Sequence, residues 1–127
     1  HPITYWRPCF RQHILRSALN FYSKKVDTME KWTREEWERK CEESDVAVFY
    51  LYKPMCGTCA VASKMMNVIS VMKPKIPIGK ADLNYIEDLA FDYKIESVPC
   101  LLVAKNGVLQ EKIYAFKSVP DLLMKIS

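Results

Sequence analysis

The sequence predicts a mixed α/β domain, and three observations point there. "VAVFYLY" (46–52) is an unbroken apolar run of β-forming residues, as expected of a strand covered on both faces. Thr33 followed by Glu36 opens "TREEWERKCEES" with the spacing of a capping box, in which two side chains satisfy free N–H groups of a first helical turn. Asn106–Gly107 divides "VPCLLVA" from "VLQEKIYA", and both residues accept the positive φ of a tight hairpin turn. Strands and helices that alternate around such features belong to a mixed α/β layout.

The elements follow in order. "RQHILRSALNFY" places Ile14, Leu15, Ala18, Leu19 and Tyr22 at helical spacing. This suits either an amphipathic helix lying on the domain or an accessory leader ahead of Met29, a credible start. The chain therefore divides into an N-terminal extension, 1–28, and a domain, 29–127. "DTMEKW" reads as a short edge strand, and the capped helix and strand 46–52 come next. A helix from about Cys56 to Val71 must end before Pro74. "IPIGKADL" is the next strand, and "NYIEDLAFDYK" a helix with Asn84 as cap and Glu87 at its third position. After the hairpin, "SVPDLLMKI" closes the chain as a helix capped by Ser118. Trp32, Trp37, Met65, Met66 and Met72 read as core or rim residues, and Cys41 as a packed residue on the capped helix.

At 127 residues, half of them hydrophobic, the chain can bury a core without staples. Its net charge of +4 lies wholly in residues 1–28, where Arg7, Arg11, Arg16, Lys24 and Lys25 face only Asp27. Residues 29–127 balance 14 bases against 14 acids. A balanced body gives no electrostatic reason to expect nucleic acid as a partner. No apolar run approaches the roughly 18 residues of a membrane span, and no signal-peptide core is visible. The expected location is the cytoplasm, with no membrane partner. Five cysteines (Cys9, Cys41, Cys56, Cys59 and Cys100) make an odd number, which fits reactive or buried thiols better than a disulfide scaffold.

Cys56-Gly57-Thr58-Cys59 stands where strand 46–52 gives way to a helix. Free N–H groups and the positive end of the helix dipole stabilise a thiolate there, so Cys56 is the candidate nucleophile. Cys59, one turn on, can attack a mixed disulfide at Cys56 and release the product. Gly57 keeps the turn tight and leaves no Cβ in the way of a substrate. Half of a zinc site is one alternative, but a second CxxC is missing and His1 and His13 lie far off, so no metal is expected. An inert short-loop bridge is another, although so small a loop constrains little chain entropy.

With "CGTC" after a buried strand and "ESVPCLLVAKNGVL" some forty residues later, the chain resembles the thioredoxin superfamily, and closely the small thioredoxin-like proteins of bacteria. The resemblance runs from about Met29 to Ile126. It implies a thioredoxin fold, a central mixed β-sheet with helices on both faces. It also implies a cis Val98–Pro99 bond facing the cysteine pair, whose neighbouring backbone pairs with a bound substrate strand. Four positions depart from the family pattern. Met55 stands where tryptophan is usual, suggesting an adaptable apolar rim. Tyr50 takes the place of a buried aspartate, so proton removal from Cys59 falls to Lys53, solvent or another group. Thr58 replaces proline; a hydroxyl bond to sulfur would stabilise the reduced form and make the disulfide more oxidising than ordinary thioredoxin's. Cys100 replaces threonine, as either a small buried hydrophobe or a third thiol able to bridge to Cys56.

The expected activity is thiol–disulfide exchange through Cys56 and Cys59, with Met55, Gly57, Thr58, Val98 and Pro99 forming the substrate rim. The partners implied are protein disulfides and an upstream thiol reductant. No cofactor is expected beyond the Cys56–Cys59 disulfide, since the electrons reside on the two sulfurs. Two rivals stand beside this reading: a redox-inactive thioredoxin-fold module that binds proteins, and an oxidase or isomerase working outside the cell.

Overall fold

Why the apolar run 46–52 is continuous becomes plain in the sheet it centres. A computed structural model describes residues 29–127; the extension 1–28, the helix read there, and Cys9 lie outside the described residues. Strands β1 (Glu30–Lys31), β2 (Val46–Tyr52), β3 (Ile78–Asp82), β4 (Cys100–Lys105) and β5 (Val108–Ile113) form one sheet in the order β1-β3-β2-β4-β5. β3 runs parallel to both β1 and β2, while β4 runs antiparallel to β2 and β5. As the central strand, β2 has side chains covered on both faces, so neither parity can be polar.

Alternate residues of β2 and β4 feed two cores. Val48, Tyr50, Leu101 and Val103 pack against Ala62, Met66 and Ile69 of helix α2 (Gly57–Met72) and Leu122 and Ile126 of α4 (Val119–Ile126). Ala47, Phe49, Leu51, Cys100, Leu102 and Ala104 pack on the other face, against Trp37 of α1 (Arg34–Glu43) and Leu89 of α3 (Glu87–Asp92). This is a mixed sheet with helices on both faces, the fold expected. Trp32 and Trp37 are core residues, as is Met66; Met65 is partly buried against the first core, and Met72 is exposed.

Local chemistry accounts for most boundaries. Thr33 and Glu36 form both halves of the capping box, each bond 3.2 Å long. Asn106 and Gly107 adopt φ of 54° and 80°, closing the β4–β5 hairpin. Ser118 accepts from the Asp121 amide at the start of α4, as its position predicts.

The helix after β3 departs from expectation. Asn84 is not its cap. Asp82, the last residue of β3, accepts from the Asn84 amide at 2.9 Å and starts a 3-10 turn, Leu83–Tyr85. The α-helix begins only at Glu87, with Ile86 at its N-cap and no side chain closing it. A carboxylate at the strand end captures the first free N–H before Asn84 can act.

Candidate active site

The dipeptide Pro54-Met55 carries the chain from β2 to α2, and Met55 does so at φ 63°, a left-handed conformation costly for a residue with a long side chain. Met55 is fully exposed there. Gly57, which the sequence suggested as the tight-turning residue, has no such φ, and a Cβ on it would meet nothing within 4 Å. The turn is therefore made one residue before the pair, while Gly57 only keeps the surface beside Cys56 open.

Cys56 is the N-cap of the 16-residue helix α2. Its Sγ accepts from the Cys59 amide at 3.3 Å and lies 3.4 Å from the Thr58 hydroxyl. No acidic residue occupies the first turn to cancel the positive helix end. The Cys59 thiol, then the Thr58 hydroxyl, hold the Cys56 pKa below that of an ordinary thiol, with the Cys59 and Thr58 amides adding to the effect. Cys59 is buried, and desolvation, then its bond to Cys56, pushes its thiol up to about 11. The two thiols are thus shifted in opposite directions, Cys56 toward the thiolate and Cys59 toward the protonated form.

Beneath the pair, the Tyr50 hydroxyl donates to the Cys59 carbonyl at 2.8 Å and lies 3.0 Å from the Ser63 hydroxyl. Burial raises the Tyr50 pKa well above the tyrosine range, so it stays neutral. Lys53 is exposed and acts on Cys59 through its backbone. Ser63 had not been singled out from the sequence. Its signal was the i, i+4 spacing from Cys59, which sets both on one face of α2.

Val98 and Pro99 are half-buried and joined by a cis peptide bond. Register places them at the same end of the sheet as the pair: Cys100 pairs with Leu51, so Pro99 sits where β2 leaves for Cys56. Cys100 itself is fully buried in the core of the opposite face, with Trp37 and Leu89, away from the face that α2 covers. Burial pushes its thiol up to about 12, and Tyr114 is its hydrogen-bonding neighbour. The structure thus seats Cys100 as a small packed residue. Cys41 is half-buried on α1, raised to about 11 by burial and by the nearby Glu38 and Glu42 carboxylates.

Among the described residues no group of three His, Cys, Asp or Glu side chains could hold a metal ion, and no helix is long and apolar enough to cross a membrane. A groove of about 440 Å³ lined by Trp32, Arg34, Tyr52, Asp82 and Tyr85 contains neither cysteine. Cys56 is half-buried between exposed Met55 and Gly57.

The Thr58 contact gives a first test. Thr58→Val removes a donor to the Cys56 sulfur at an exposed position, so the fold should be unaffected while the thiolate fraction falls. Alkylation of Cys56 by iodoacetamide at pH 7 should slow roughly threefold to tenfold, and the disulfide should become harder to reduce. Rates equal to those of the parent chain would show that the hydroxyl does not act on the sulfur.

Comparison with known proteins extends these local features to the whole body. Residues 28–127 match the family model described as Thioredoxin. The thioredoxin-like protein YusE of Bacillus subtilis is 48% identical over 80 residues, covering 63% of this chain and 76% of that protein. Thioredoxin H-type of Fagopyrum esculentum is 25% identical over 100 residues, covering 79% of this chain and 84% of that protein. The oxidised mitochondrial thioredoxin 3 of Saccharomyces cerevisiae superposes with a TM-score of 0.71 at 22% identity, over 80% of this chain and 95% of that one, a likeness of fold. The family match spans the described sheet and helices from end to end and includes both Cys56 and Pro99, so the chain belongs to the thioredoxin family.

Proposed function

We propose that this chain is a thiol–disulfide oxidoreductase that exchanges a Cys56/Cys59 dithiol for the disulfide of protein substrates, within the cytoplasm. Family membership supports oxidoreductase chemistry in general. The observation that carries the specific reading is the place of Cys56 at the N-cap of α2, its Sγ accepting from the Cys59 amide at 3.3 Å while Cys59 itself is buried. Cys56 attacks one sulfur of a substrate disulfide and forms a mixed disulfide, and the other substrate sulfur leaves as a thiolate. Cys59 loses its proton to solvent and attacks Cys56 Sγ. The bond from Cys56 to substrate breaks, the substrate is reduced by two electrons, and Cys56–Cys59 is left oxidised.

In this reading Met55, Gly57, Thr58, Val98 and Pro99 form the rim that receives the substrate. An upstream thiol reductant regenerates the dithiol, and no other cofactor takes part. Because the Thr58 hydroxyl adds to the stabilisation of the Cys56 thiolate, the potential lies above the roughly −270 mV of ordinary thioredoxin.

The test is reduction of insulin by dithiothreitol in the presence of the chain, with equilibration against glutathione for the potential. Acceleration well above dithiothreitol alone is expected. A chain that forms its disulfide yet gives no acceleration, while retaining a protein partner through the Pro99 edge, would instead be a binding module.

A further inference from the structure

We infer that Tyr50, backed by Ser63, is the positioning residue for the resolving thiol. Its phenol fixes the first turn of α2 through the Cys59 carbonyl and presents a neutral donor, rather than a base, to the Cys59 sulfur. The inference rests on the exchange proposed for Cys56 and Cys59 and assigns the device that controls its second half.

Tyr50 is fully buried in the central strand, its ring held by stacking with Tyr52 at 5.8 Å and by an edge contact with Phe116 at 5.9 Å. The phenol has one proton, and that proton is directed at the Cys59 carbonyl, 2.8 Å away. In the 3.0 Å contact between Tyr50 and Ser63 the serine hydroxyl is therefore the donor. A chain of donation runs from Ser63 to Tyr50 to Cys59, from a half-buried residue inward. A helix carbonyl in this position already receives an amide of its own helix, so the phenol is an added tether from β2 onto the turn that carries both sulfurs.

While Cys59 is a thiol the phenol's single proton stays on the carbonyl, and as the sulfur ionises that proton turns toward it and favours the thiolate. The groups acting most strongly on Cys59 are Cys56, on its own helix, the Lys53 backbone in the preceding loop, and Tyr50 from β2. None of these is a carboxylate that could take the proton. In the resolving step Cys59 gives its proton to solvent, its sulfur bonds to Cys56 Sγ, and the substrate sulfur departs with the electron pair of the broken bond. Tyr50 holds the attacking sulfur in line and stabilises its charge as the proton leaves.

The reduced chain, mixed with half an equivalent of the aromatic disulfide 5,5′-dithiobis(2-nitrobenzoate), separates the two steps. Attack by the most reactive thiol releases the first nitrothiobenzoate, and resolution releases the second. In Tyr50→Phe, which keeps the ring and loses the hydroxyl, the first phase should stay within about twofold of the parent. The second should slow about tenfold, and its pH profile should move to higher pH. Loss of stability alone would not move that profile. In Ser63→Ala the second phase should slow about threefold.

If the parent releases only one nitrothiobenzoate per probe molecule, the exchange reading itself fails. If the parent releases both and Tyr50→Phe matches it in rate and pH profile, only the role of Tyr50 is overturned. Should Tyr50→Phe not fold, Ser63→Ala decides, and an unchanged second phase overturns the proposal.

Discussion

Cys56→Ser should bring insulin reduction down to the dithiothreitol background, a loss on the order of a thousandfold, whereas Cys59→Ser should stop turnover but keep the first attack. The asymmetry follows from the two sulfurs' environments. A serine at the tip of α2 has no accessible ionised form near neutrality, so the helix end and the Thr58 hydroxyl have no anion to stabilise. In Cys59→Ser the new hydroxyl can still donate to Cys56, replacing the thiol that contributes most to its lowered pKa. Cys56 should therefore attack a substrate disulfide at nearly the parent rate, and one-to-one mixed disulfides should accumulate, visible on non-reducing gels. Cys59→Ala removes that donor and should attack more slowly than Cys59→Ser. Equal rates for the serine and alanine variants would show that the donor is not what poises Cys56.

The pH dependence has a definite sign. The folded-state pKa of Cys56 is depressed, so the thiolate's contribution to the stability of the reduced fold is complete above the pKa of an unfolded thiol, about 8.5. It is lost as pH falls through the lower folded value. The rate of the first attack should follow the same curve, falling tenfold per unit below that value. Cys59, raised to about 11, carries the opposite sign: its protonated form is favoured by the fold, and that contribution disappears as pH rises through about 11.

Much of this arrangement was legible in the residues because local signals there had no competitor. The run 46–52 became β2 with the bounds its apolar continuity indicated, since a strand buried on both faces leaves no polar position to blur its ends. Thr33 with Glu36, and Asn106 with Gly107, specify backbone geometry through bonds that lie within three residues. Signals failed where two candidates stood close together or where the deciding contact was remote. Asp82 and Asn84 are both good caps, and only the end of β3 selects between them. In "CLLVA" every residue is apolar, so no alternation tells which face Cys100 takes; its pairing with Leu51 decides that. The bond between Tyr50 and Ser63 joins a strand to a helix thirteen residues on, and neither residue is unusual in its own element. The left-handed Met55 carries no local signal, because glycine or asparagine would ordinarily mark such a turn.

Gly79→Ala should be among the most destabilising single-methyl additions the chain can receive. Gly79 lies in β3 between Glu30 of β1 and Phe49 of β2, under the indole of Trp32. A Cβ at Gly79 would overlap Cδ2, Cε3 and Cε2 of that ring. The indole has little freedom to withdraw: it is buried, it packs on Trp37 at 6.4 Å and on Phe49 at 5.7 Å, and its backbone amide donates to the Lys80 carbonyl at 3.0 Å. Overpacking a rigid core costs about 1–3 kcal/mol, and a clash with a clamped aromatic ring belongs at or beyond the upper end. At about 4–8 °C per kcal/mol for a domain of this size, the thermal midpoint should fall by roughly 12–24 °C. A double-mutant cycle identifies the cause. Trp32→Val alone loses the aromatic packing, but in its presence Gly79→Ala should cost far less than in the parent, a coupling of about 2 kcal/mol. Additive losses would mean that the glycine serves the backbone of β3 rather than the indole above it. Gly57→Ala supplies the contrast, since no atom lies within 4 Å of the added methyl and the midpoint should hardly move.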